Sequence, residues 1–166
     1  MVAGVEFSDL NWLGLAAAFV FSMVLGFVWF NPKTPMGKVW VRGEGMDPDN
    51  MPPVPGGKMA VSMVIMVVGS FLTFFVMAHT MIAYQDSYSY DCREDNSLAG
   101  CDGDVWDLTL MDGAMGGFFV WLGFFLPLNL GAVAWQRKSW GYALNTTAYY
   151  LIILVVGGIL LVTVGA

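Results

Sequence analysis

Met77, His79 and Met81 spell Met-x-His-x-Met, and thioether sulfur with imidazole is a ligand set that suits copper. On an α-helix, however, His79 points nearly opposite to the two methionines, so the three converge only if the helix unwinds. Met59, Met63 and Met66 also recur at helical spacing, where methionine serves as adaptable packing. His79 is the single histidine of the chain, which leaves a multi-histidine metal site or a Ser-His-Asp relay without its parts. Asp102, Asp104 and Asp107 are close enough in sequence to share a Ca2+ with backbone carbonyls. The glycine and terminal glutamate of an EF-hand are missing, so the three stand as calcium candidates beside the plainer reading of a solvated acidic face.

Cys92 and Cys101 are the two cysteines. Their spacing, with no histidine nearby, is not a zinc pattern. A disulfide is expected if the segment faces an oxidising compartment, and closing so short a loop would stabilise the chain by about 2–3 kcal/mol on the chain-entropy model. No glycine-rich phosphate loop, nucleophile elbow or pair of intramembrane carboxylates is found in the sequence. The expectation is a protein that is not an enzyme, with no catalytic residue and no cofactor.

The elements that position these residues are apolar to an unusual degree. Of 166 residues, 57% are hydrophobic and 12% charged, with a mean hydropathy of +0.65; a soluble domain averages about 25% charged residues. A soluble enzyme and a disordered chain are therefore poor readings. The net charge of −6 argues against nucleic acid, whose phosphates need clustered Lys and Arg. A transmembrane helix needs about 20 apolar residues to cross about 30 Å of hydrocarbon. Four stretches qualify, at about 10–30, 59–84, 113–135 and 140–164, in one membrane domain spanning 1–166. Their cores carry no Lys, Arg, Asp or Glu, as the cost of burying charge demands. The residues before the first stretch hold Glu6 and Asp9 and no basic residue, unlike a signal peptide, so this helix is expected to be retained. Barrel strands would alternate in polarity, whereas 151–161 is apolar on every side. Trp12, Trp29, Tyr84, Trp106, Trp135, Trp140 and Tyr142 sit near span ends, as in aromatic belts. Trp121 falls mid-span and reads as a packing residue.

Four spans leave both termini on one side. The first connection, 31–57, extended to Lys58, carries Lys33, Lys38, Arg42 and Lys58, and Arg137 and Lys138 lie in the third; Arg93 alone is in the second, 85–112. The positive-inside rule puts loop 31–57 in the cytoplasm and loop 85–112 with both termini outside. Ten of thirteen acids then lie outside: Glu6, Asp9, Asp86, Asp91, Glu94, Asp95, Asp102, Asp104, Asp107 and Asp112. Six of seven prolines fall in 31–57, where runs such as 51–57 cannot be helical, although a short helix fits 37–42. Loop 85–112 reads as an ordered, irregular cap.

Gly14, Ala18, Ser22 and Gly26 recur every four residues in the first span, and Gly113 and Gly117 open the third. Such small faces let another helix backbone approach closely, either in a homo-oligomer or inside one bundle. Pro127 and Asn129 interrupt the third span and Asn145 the fourth. Proline can kink the helix, and a membrane-buried amide seeks a partner, most cheaply on another helix. With His79, these amides are the notable intramembrane polar groups.

Two blocks carry a resemblance. One is Asn11-Trp12-Leu13, Trp29-Phe30-Asn31-Pro32 and Gly37-Lys38-Val39-Trp40. The other is Trp121-Leu122-Gly123-Phe124, Pro127, Trp140, and Asn145 with Tyr149-Tyr150. Together they resemble a family of small bacterial four-helix membrane proteins classified as a domain of unknown function. The acidic, cysteine-containing loop departs from that family and looks like an insertion. The resemblance implies the helical fold and a prokaryotic inner membrane, and it implies no activity.

The expected fold is all-α: an up-and-down bundle of four transmembrane helices with a disulfide-closed acidic extracytoplasmic loop. The expected partners are the lipid bilayer and either further copies in a homo-oligomer or a larger membrane complex, with a structural or accessory role. The alternative is a small-solute channel or transporter with a polar route past Ser22, Thr73, Asn129 and Asn145.

Overall fold

The computed structural model describes residues 10–95, 97, 101–102 and 105–165. Glu6, Asp9 and Asp104, and the side chains of Cys101 and Asp102, lie outside the described residues. The elements in chain order are α1 (Trp12–Trp29), α2 (Pro35–Gly43), α3 (Gly56–Glu94), β1 (Cys101–Asp102), β2 (Val105–Trp106), α4 (Leu110–Val120), a π-helical segment (Trp121–Phe125), α5 (Leu126–Gln136) and α6 (Trp140–Thr163). α4, the π segment and α5 form one long span, so four helices among the described residues are long and apolar enough to cross a membrane. β1 and β2 pair antiparallel as a two-residue ladder, Cys101 opposite Trp106.

α6 is the central helix, and its neighbours reach it through small residues. A Cβ at Gly14 of α1 would stand 2.8 Å from the Leu160 carbonyl oxygen and 3.0 Å from the Leu161 Cα. Ala18 and Ser22, further along the same stripe, are fully buried, and a Cβ at Gly26 would stand 2.8 Å from the Tyr149 hydroxyl oxygen. On α4, a Cβ at Gly113 would meet the Gly158 carbonyl oxygen at 2.5 Å, and one at Gly117 would meet the Leu154 carbonyl. Both small-residue faces are thus spent on α6 of the same chain. Close approach here gains dispersion contacts that larger residues would forbid.

The N-terminus of α1 is tied down by one side chain. Asn11 accepts the Gly14 N–H at 2.9 Å, and its Nδ2 donates to the Leu161 carbonyl at 3.0 Å and the Val164 carbonyl at 2.7 Å. It therefore caps α1 and satisfies carbonyls at the end of α6, groups that a helix terminus leaves orphaned. Asn11→Ala is expected to cost about 2 kcal/mol, from one lost cap and two unpaired carbonyls. Reversible unfolding in mixed micelles measures it; a cost no larger than that of Leu13→Ala, at a residue more than half exposed, would show that the tie contributes little.

Three expectations are corrected in detail. The run 51–57 is not wholly outside a helix: α3 begins at Gly56, directly after the last proline of the run, Pro55. The third helix does not end at Tyr84 but continues to Glu94, so the first ten residues of the expected loop 85–112 are helical. The reason is packing: Ser89 and Cys92 are buried along one side of this extension, and the Ser89 hydroxyl donates to the Gln85 carbonyl at 2.7 Å. Pro127 does not simply kink its helix. The π segment precedes it, with the Leu126 N–H bonded to the Trp121 carbonyl five residues back, a local register change that absorbs a proline's missing donor. The short helix expected at 37–42 is α2, one residue longer at its C-terminus and two at its N-terminus. Trp12, Tyr84, Trp135 and Trp140 project outward, Trp135 at 88% exposure.

Candidate functional site

The two sequence blocks that carried the resemblance meet at one end of the bundle. Phe30 and Trp40 rings contact edge-on at 5.6 Å between centroids, and Phe30 meets Tyr149 at 4.8 Å. Trp29 also reaches Tyr149, at 6.2 Å, and the Tyr149 hydroxyl donates to the Ser22 carbonyl at 3.1 Å. The cluster thus joins the end of α1, the short helix α2 and the first half of α6.

α2 forms because Thr34 caps it, accepting the Gly37 N–H at 3.1 Å, and Pro35 pre-sets its first turn. It carries a buried side, Gly37 and Val41, and exposed Met36, Val39 and Arg42. Three contacts dock it. Asn145 Nδ2 donates to the Met36 carbonyl at 3.1 Å. Lys138 Nζ lies 2.7 Å from Glu44 Oε2, both side chains largely shielded, and 5.1 Å above the Tyr142 ring. Gly43 lies against the Tyr142 side chain. These contacts fix a short helix with one buried side at the end of the bundle. Trp29 Nε1 and Thr146 Oγ1 in the same region are buried with no hydrogen-bond partner among the described residues.

The expected intramembrane polar residues do not converge. Asn129 is buried and donates to the Phe125 carbonyl of its own helix at 2.8 Å. Asn145 is engaged on α2, the Ser22 hydroxyl donates to the Phe19 carbonyl at 2.8 Å, and the Thr73 hydroxyl donates to the Gly69 carbonyl at 2.9 Å. Trp121, read as a packing residue, donates its indole N–H to the Thr147 carbonyl at 2.9 Å. His79 pairs Nδ1 with the Phe75 carbonyl at 2.8 Å, and its ring meets the Phe75 ring at a tilt, 4.3 Å between centroids. α3 runs unbroken past it, with Met77 and Met81 buried on the bundle side. Among the described residues, no three of His, Cys, Asp and Glu converge as a metal site would require. Of the calcium candidates Asp102, Asp104 and Asp107, only the Asp107 side chain is described, and it is exposed. Nearby, the Ser97 hydroxyl and amide hold the Asp95 carboxyl below its ordinary range. Cys92 is fully buried.

The surface that sequence reasoning passed over is on α3. Every residue from 52 to 69 is exposed. This half of the helix leaves the bundle, whereas Phe74, Met77, Ala78 and Met81 of the other half are buried against it. At 3.6 residues per turn, Met59, Met63, Met66 and Ser70 lie on the same line as Phe74, Met77 and Met81. Ser62, Gly69 and Thr73 flank that line. The opposite side is Val61, Val64, Ile65, Val68 and Leu72. The methionine spacing was the available signal, but periodicity does not say where a bundle ends.

A model of a family described as a protein of unknown function (DUF1761) matches residues 13–162, from the first turn of α1 to the last turn of α6. No curated protein and no solved structure matches the chain.

Proposed function

Because the chain belongs to the DUF1761 family of unknown function, its role has to follow from its own geometry, and we propose that it is an accessory protein of a cell membrane that works by associating with further copies of itself through the free half of α3. One observation carries this reading. The packing side of α3 continues from Met81 to Met59 without a change of character, yet only its Phe74–Met81 part meets the bundle. Methionine and small residues suit adaptable helix-to-helix contact, while the β-branched side opposite suits lipid. The polar residues of a solute route are each engaged elsewhere, which favours association over transport.

In this proposal the basic end, with Lys33, Lys38, Arg42, Lys58, Arg137 and Lys138, faces the cytoplasm, in keeping with the positive-inside rule. The termini and the acidic segment face outward across a prokaryotic inner membrane. The free half of α3 then lies in the cytoplasmic leaflet.

Converting Met59, Met63 and Met66 together to valine extends the lipid-like surface around α3 and is expected to leave a folded monomer. Mass photometry of the protein in nanodiscs reads the copy number; Val61, Val64 and Val68 converted to methionine is the control and keeps the oligomer. A wild type that is already monomeric, or a triple variant of unchanged size, refutes the reading.

The outward placement also carries a covalent proposal: Cys92 and Cys101 are bridged. Burial of Cys92 at the end of α3 supports it. Reduction is expected to add the mass of two hydrogens to the intact protein and to lower its stability by about 2–3 kcal/mol. An unchanged mass would sink the bridge.

A further inference from the structure

A cavity of about 620 Å3 lies between the other half of α3 and α4, within the range of small-molecule sites. It opens sideways: Tyr84, Phe119 and Phe124 on its rim are each more than half exposed. Met77 and Met81 from α3 and Met115 and Phe119 from α4 give it an apolar wall. Gly116 lines it and lets the Met81 side chain lie flat against α4, since a Cβ there would stand 2.5 Å from the Met81 methyl carbon.

The polarity of the groove is graded along both helices. α3 runs toward the acidic end and α4 runs away from it, so Met77 and Phe124 are deep while Tyr88 and Asp112 are at the mouth. From Asp112 to Phe124 at about 1.5 Å per residue is roughly 18 Å, about the hydrocarbon depth of one leaflet. Asp112 is held by its helix cap: Oδ2 accepts the Thr109 N–H at 2.8 Å and the Thr109 hydroxyl at 2.6 Å, which leaves Oδ1 for a ligand. Asp91, Asp95 and Asp107 are exposed at the same end against one exposed basic residue there, Arg93, among the described side chains, so the net charge at the mouth favours a cation.

We propose that this groove binds one lipid-like amphiphile, its apolar chain lying between α3 and α4 and an ammonium head pairing with Asp112. The site is separate from the free half of α3 and does not depend on self-association. The selectivity arises because a carboxylate facing an anionic head at the membrane surface is repelled, whereas an ammonium forms a charge-assisted hydrogen bond.

The test reconstitutes the full chain into vesicles of equal parts phosphatidylethanolamine and phosphatidylglycerol with matched tails, and counts retained lipids by native mass spectrometry. Wild type is expected to retain one lipid per chain, the ethanolamine form at least tenfold over the glycerol form. G116L fills the groove and should cut retention at least tenfold. D112N keeps an oxygen to accept from Thr109 and should retain a lipid while losing the head preference. Equal retention by G116L and wild type, a wild type without head preference, or a preference that survives in D112N each overturns the proposal; the last decides the matter even if G116L does not fold.

Discussion

Replacing Gly117 with leucine is expected to destabilise the bundle by about 3 kcal/mol or more, at or beyond the upper end of ordinary overpacking costs. The added atoms have nowhere to go. A Cβ at Gly117 would stand 2.5 Å from the Leu154 carbonyl carbon and 2.9 Å from the Val155 Cα, both backbone atoms in the middle of α6. No side chain can rotate away, so α4 must move off α6. One turn earlier, Gly113 faces Gly158 in the same manner, and the displacement breaks that contact too. Because α6 also carries α1 at Gly14 and Gly26, a shift of α6 is shared with a third helix.

Two neighbouring glycines serve as controls. Gly116→Ala meets only the flexible end of Met81, and its cost should stay below about 1 kcal/mol, within the range of small packing changes. Gly123→Ala has nothing within 4 Å and should be neutral or slightly stabilising, since alanine is the better helix former by about 1 kcal/mol. Unfolding in mixed micelles orders the three. If Gly117→Leu is no worse than Gly123→Ala, the α4–α6 contact is not what holds the bundle together.

How much of this was legible in the residues depends on whether the information was local. Span length is local: about 20 apolar residues must cross the bilayer as a helix, because lipid offers no hydrogen bonds to the backbone. That requirement made α1, α6 and the long α4–α5 span readable before any contact was known. The stripe Gly14, Ala18, Ser22 and Gly26 announced a close approach, but the identity of the partner is a tertiary fact; the structure supplies it as Leu160, Leu161 and Tyr149 of α6. The extension of α3 from Gln85 to Glu94 was hidden for the opposite reason. Its run of Asp, Ser and Tyr has modest helix propensity and resembles a loop, and only the burial of Ser89 and Cys92 explains why it stays helical.

The site was legible in parts and not as a whole. Trp29, Phe30, Trp40, Asn145 and Tyr149 were each visible as motif residues, yet nothing in their spacing placed α2 against α6. Asn145 was expected to bond another helix, and it does so at the Met36 carbonyl of the short helix α2. Asn129 was expected to do the same, and it is satisfied one turn back in its own helix. An amide takes whichever unsatisfied carbonyl its position brings near. The carbonyls of the π segment and of the α2 first turn were not predictable from hydropathy.

Gly37→Ala is the second large effect, and its sign is the informative part. Gly37 occupies the first turn of α2. At an ordinary helical position the change from glycine to alanine stabilises by up to about 1 kcal/mol. Here the backbone of Asn31 crosses directly over the α-carbon, and the carbonyl carbon of Phe30 would lie 3.0 Å from an added Cβ. The chain between α1 and α2 is tight at this point: Thr34 donates its hydroxyl to the Asn31 carbonyl at 2.8 Å. The strand of backbone therefore cannot swing aside without breaking the cap that starts α2. Alanine is expected to cost about 2–3 kcal/mol, as overpacking against fixed atoms does, and to lift α2 off the bundle. A cysteine placed at Val41, fully buried in the native arrangement, reports the lift directly: it should resist a membrane-impermeant thiol reagent in the otherwise wild-type chain and react in the Gly37→Ala background. A stabilised protein with a protected Val41→Cys would mean that the first turn of α2 is free of Asn31, and the docking of this helix would then rest on Asn145 and the Lys138–Glu44 pair alone.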